Sequence, residues 1–97
     1  MSVVIEEFLS VLQPKVKGIL RGTAKLVITD VGVVMLDETG ARVGDGAADV
    51  TLKATETVFR NIMDGTQNPV MAVMSGKLGV EGSSTRALKV GQILTGA

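Results

Sequence analysis

The stretch DVTLKATETVFRNIMDG, residues 49–65, changes its hydrophobic period halfway along. Up to Lys53 it alternates, with Val50 and Leu52 on one side and Asp49, Thr51 and Lys53 on the other. That is the pattern of a strand with one covered face. From Thr55 onward the apolar positions Val58, Phe59, Ile62 and Met63 recur at helical spacing, with Arg60, Asn61 and Asp64 off the stripe. Thr55 suits an N-cap, because its hydroxyl can accept an amide that the first turn leaves unpaired, and Gly65 suits a left-handed C-terminal cap. A strand running straight into an amphipathic helix predicts a sheet and helices packed on one another.

The same two rhythms extend both ways. Upstream, Ala24 to Ile28 and Val33 to Leu36 alternate around a turn at Asp30-Val31-Gly32. A weaker third strand around Arg42 and Val43 follows the Thr39-Gly40 turn, and Gly44-Asp45-Gly46 is loop. Val4 to Leu12 forms an amphipathic helix through Ile5, Phe8, Leu9 and Leu12. Pro14 lacks the amide that would bond back to Ser10, so a kink or a second short helix is expected there. Downstream, Asn68-Pro69 opens a helix with Val70, Met71, Val73 and Met74, and Gly76 stops it. Lys77 to Glu81 alternates again, with Leu78 and Val80 inward. Gly82-Ser83-Ser84 then caps a last helix bearing Ala87, Leu88, Val90, Ile93 and Leu94. The expected order is helix, four strands, two helices, strand, helix. The predicted fold class is α+β, a two-layer sandwich with a five-stranded sheet whose helices share one dry face. Leu26, Ile28, Val50 and Val80 should be buried.

Composition narrows the chemistry. At 97 residues the chain is one domain. Ten basic residues balance ten acidic ones without a run of either sign, and there are two aromatic residues. A nucleic-acid binder would want a basic stripe and stacking rings, so no nucleic-acid partner is expected. The absence of His and Cys excludes His-dependent triads, thiolate chemistry and zinc fingers. No cofactor, no metal and no enzymatic activity are expected. Glu6 and Glu7 stand where a secretory signal would be basic, and no apolar stretch approaches the roughly 20 residues of a membrane span. These features predict a soluble, cytoplasmic domain.

Three candidate sites have simpler explanations. Gly82 to Arg86 lies between a strand and a helix, as a phosphate loop would, but lacks the Walker spacing and lysine; helix capping accounts for it. Asp45, Asp49 and Glu56 fit no calcium-loop spacing and read as surface acids. Ser75 and Lys77 lack the spacing of Ser-Lys hydrolases. The methionines are more informative. Met63, Met71 and Met74 fall on two consecutive helices, with Met35 in a strand; methionine adapts to irregular apolar ligands, although from these residues alone core filling is the favoured reading. The last helix has a broad apolar stripe weakened by Gly91, as a lid would be.

From Leu26 to Leu94 the sequence resembles the sterol carrier protein family, the non-specific lipid-transfer domain. The resemblance is carried by Asp49-Val50-Thr51-Leu52 entering a helix, Met63-Asp64-Gly65 followed by Asn68-Pro69, then Ser75 to Gly82, with Ala87 and Leu88 in the closing helix. It spans residues 24 to 95. It implies an apolar tunnel between sheet and helices and a non-catalytic carrier of fatty acids, fatty acyl-CoA, sterols or phospholipids. Carried over residue by residue, it implies a tunnel lined by Phe59, Ile62, Met63, Met71, Met74, Leu88 and Leu94. Asp49 and Gly76-Lys77 would be framework residues. The expected partners are a lipid or fatty-acyl ligand and, transiently, a membrane, with the protein a monomer or weak dimer. Arg86 or Lys89 are headgroup candidates that ordinary solvation also explains. The start through Pro14 departs from the family's pattern. The end Thr95-Gly96-Ala97 lacks its peroxisomal tripeptide, and the short, ring-poor chain suggests a bacterial stand-alone member. The rival expectation is a protein-interaction or accessory module of lipid metabolism with a filled core.

Overall fold

The computed structural model describes residues 3–95; Gly96 and Ala97, two thirds of the terminal tripeptide, lie outside them. In chain order the elements are α1 (Val3–Val16), β1 (Ala24–Ile28), β2 (Gly32–Asp37), β3 (Gly40–Val43), β4 (Val50–Ala54), α2 (Glu56–Asp64), α3 (Pro69–Met74), β5 (Gly79–Gly82) and α4 (Ser84–Leu94). The strands form one open sheet in the order β3-β2-β1-β4-β5. All neighbours are antiparallel except β1 and β4, which pair in parallel with Leu26 opposite Leu52. A parallel pair needs a crossover, and residues 44–49 supply it.

The alternation seen in the sequence sets the two faces. Ala24, Leu26, Ile28, Val34, Leu36, Val50 and Leu52 are buried on the inner face, under the helices. The outer face is not uniformly wet. Met35 is buried there, on the opposite side from Val34 and Leu36, because the crossover lies over it: a Cβ on Gly44 would sit 3.3 Å from its Cγ. Asp45 in the same crossover bonds Lys25 Nζ at 2.7 Å, tying the segment to β1.

Two local expectations are refined. Helix α1 runs through Pro14 to Val16, so no second helix begins there. The bond lost is to the carbonyl of exposed Ser10, which water can satisfy, while buried Leu12 and Val16 hold the last turn on the sheet. Val80 is half-buried rather than buried, although its partner Leu52 is fully covered. The space above Val80 is open, and it leads to the site.

Among the described residues, no helix is long and apolar enough to cross a membrane.

Candidate functional site

Helix α3 is six residues long, and among its side chains only that of Ala72 is buried. It is held by its ends rather than by its middle. At the start, Asn68 Oδ1 accepts from the amides of Val70 at 2.9 Å and Met71 at 3.2 Å, with Pro69 in the first turn. At the finish, the amides of Lys77 and Leu78 both donate to Ala72 O, at 2.9 and 3.1 Å. A helix that buries only a methyl group cannot fill the space beneath it.

Helix α4 forms the opposite wall. Ser83 caps it, its hydroxyl accepting from Arg86 N at 3.3 Å. Gly91 is buried in α4, and a Cβ there would lie 2.8 Å from Pro69 Cβ. The glycine that weakens the helix therefore permits a close crossing of α3 on α4, a role beyond loosening a lid.

Between these helices and the β4–β5 end of the sheet lies a cavity of about 260 Å³. Leu52 and Val80, partners across β4 and β5, contribute from the sheet, with Leu78 beside them. Pro69, Val70, Val73 and Met74 contribute from α3, and Ser84, Ala87 and Leu88 from α4. Ser84 is the one polar residue among them, and none is ionisable. Small side chains at Ala72 and Ala87 and the scarcity of rings leave the volume unfilled.

The residues that the resemblance points to separate into three groups. Met74, 76% exposed, and Leu88, 45% exposed, line the cavity at its rim. Phe59, Ile62 and Leu94 are fully covered in the main core, and Met63 packs against that core from its edge. Met71 is exposed on the outside of α3. The walls that the resemblance does not name were partly legible: Val70 and Val73 follow Pro69 at helical spacing, and Leu78 and Val80 alternate inward on the last strand. Loose fit beneath a short helix leaves no such mark in a sequence.

Several acids away from the cavity are spent on structure. Asp37 is lowered from 3.8 to about 2 by hydrogen bonds from the Thr39 hydroxyl and from Arg42 in the β2–β3 turn. Asp64 is lowered by its bonds from Thr66 after α2. Asp45 pairs with Lys25, Asp49 accepts from Thr23 N at 3.0 Å, and Glu56 pairs with Arg60 at 2.7 Å. Among the described residues no acids converge as metal ligands. Ser75 and Lys77 are both exposed, and the Ser75 hydroxyl donates to Ala72 O at 3.3 Å. A Ser-Lys catalyst would need a desolvated lysine.

The geometry thus defines a class, an α+β domain with an apolar cleft between its layers and no ionisable residue lining it. The SCP-2 sterol transfer family model matches residues 5–95, and the chain belongs to that family. The match takes in α1, which the sequence resemblance leaves out. No curated protein matches the chain. Among solved structures, it is similar to sterol carrier protein 2 of Yarrowia lipolytica in the apo form, at 26% identity and TM-score 0.58. That match covers 77% of this chain and 66% of the other, just under two thirds. It is also similar to sterol carrier protein-2 of Aedes aegypti in complex with palmitate, at 19% identity and TM-score 0.79, over 97% of this chain and 96% of that one. A third likeness is to a stereoselective inverting sec-alkylsulfatase of Pseudomonas sp., at 22% identity and TM-score 0.63. There 90% of this chain matches 14% of a much longer one, so the fold also occurs as a part of an enzyme.

Proposed function

We propose that the protein is a non-catalytic lipid carrier that holds an acyl chain in the cavity between α3, α4 and the β4–β5 end of the sheet. The observation that carries this reading is the cavity itself: unfilled, open at Met74 and Leu88, and without an ionisable lining residue. The palmitate complex of the Aedes aegypti protein supports a fatty-acyl cargo. Binding then needs no recognition chemistry, because each methylene moved out of water contributes about 0.8 kcal/mol. A methylene takes up about the ~30 Å³ of a water molecule in the liquid, so the cavity accepts roughly eight or nine. Their burial is worth about 7 kcal/mol before ordering costs, close to the ~8 kcal/mol of a micromolar complex. A longer chain has to lie along the exposed side of α3 or part the helices.

Displacement of a fluorescent fatty acid by saturated acids of increasing length tests this. Affinity should climb roughly tenfold for every two carbons while the cavity fills, then level off near eight to ten. If no acid of any length displaces the probe below ~100 µM, the carrier reading is lost and the filled-core module replaces it.

A further inference from the structure

We infer that the outward sides of α3 and α4 dock on an anionic lipid surface, so that the cavity mouth opens against the membrane. This deepens the carrier reading and rests on it. Of the nine large apolar side chains that stand exposed among the described residues, five are on these two helices: Val70, Met71, Val73, Met74 and Leu88. Single exposed apolar residues are ordinary, but a group that runs on into an apolar cavity marks a contact surface. Met71, at 59% exposure, contributes nothing to the cavity wall, so its exposure is not explained by cargo.

Charge selects the occupant. From Gly65 onward the chain carries Lys77, Arg86 and Lys89 against one acid, Glu81, whereas residues up to 64 carry seven basic and nine acidic side chains. Glu81 pairs with Thr51 on β4, which puts it on the outer face of the sheet, opposite in direction to Val80 and the helices. Helices α3 and α4 therefore present no acid, unlike α1 and α2. Lys77 and Lys89 are exposed, and among the described residues neither is paired with an acid. An apolar patch on two helices without an acid, with Lys77 and Lys89 exposed and unpaired, fits the interface of an anionic bilayer, where methionine and leucine can enter the acyl boundary and each lysine meets a headgroup. A second copy of the chain fits less well, because a two-fold contact would set this cationic face against itself.

The test is flotation of the whole protein with phosphatidylcholine vesicles and with vesicles containing phosphatidylglycerol, beside a fatty-acid titration without vesicles. The protein should float with the anionic vesicles and lose binding as salt rises. Lys89→Gln should weaken that binding about fivefold, the worth of one basic residue near the surface. Met71→Glu should weaken it roughly tenfold or more. Neither residue lines the cavity, so both variants should titrate octanoic acid, short enough for the cavity alone, as the parent does. Equal binding to neutral and anionic vesicles, or a Met71→Glu variant that floats like the parent, overturns the proposal; so does dimerisation without flotation. Flotation without fatty-acid binding keeps the docking surface and removes the carrier reading, while the reverse keeps the carrier and removes the surface.

Discussion

Helices α1 and α3 cover the same face of one sheet, and they do it in opposite ways. Helix α1 has 14 residues and sends Ile5, Phe8, Leu12 and Val16 into the core. It is also clamped to the sheet: Gln13 Oε1 accepts from Ala41 N at 2.7 Å, next to Gly40, whose φ of 129° and contact with the Gln13 side chain leave no place for a Cβ. Gly18 N adds a bond to Glu38 O at 2.8 Å. Arg60 of α2 lies over the Phe8 ring at 5.1 Å and reaches Glu7 at 3.5 Å, so the two helices brace each other. Helix α3 has six residues, one buried methyl group and a row of large side chains facing out. One half of the molecule is a solid core and the other is a shell. The difference comes from side-chain size on the inward side and from helix length, not from the sheet.

Truncation is the strongest way to separate the halves. Phe8→Ala should cost about 3–5 kcal/mol, a large share of a small domain's stability, because the ring is fully packed. Leu88→Ala, at the cavity rim, should change stability by less than ~0.5 kcal/mol while weakening acyl binding. Denaturant melts check both, and equal losses would erase the distinction.

Overfilling is the next test. Val34→Phe places a ring where packing is complete and should cost about 1–3 kcal/mol. Val80→Phe places it in the open cavity, so the apo protein should melt near the parent while fatty-acid affinity falls. A Val80→Phe variant as unstable as Val34→Phe would show the shell to be solid after all.

The smallest effect is expected where the two cavity helices cross. Gly91→Ala improves helix propensity by about 1 kcal/mol but drives a methyl group into Pro69. The two effects should nearly cancel in stability, with α3 pushed outward and the chain-length plateau moved to longer acids. An unchanged plateau together with a stabilised protein would show that the contact carries no constraint.

Much of this was legible from residue order. The period change at Thr55, the caps at Asn68 and Gly65, and the inward sets on β1 and β4 are local signals, and the structure follows them. Pro14 leaves two readings open because proline's cost depends on whether the orphaned carbonyl is solvated, and that depends on which way Ser10 faces. Phe59, Ile62 and Leu94 are apolar at helical spacing, a pattern equally satisfied by a core and by a cavity wall. Periodicity records which side of an element is dry; it does not record whether another side chain meets it there.

Sequence by itself therefore determined the elements, their faces, the absence of histidine and cysteine and the family resemblance, since each follows from neighbours a few residues apart or from composition. Tertiary structure alone decided that Leu52, Val73, Val80 and Leu88 enclose a common space, that Met35 is covered by the crossover, and that Gly91 admits Pro69. It also left Lys77, in the turn after α3, and Lys89, on α4, exposed while turning Glu81 to the far face of the sheet. These facts depend on the distance between elements remote in the chain, which side-chain volume and helix length set only once the whole fold is assembled.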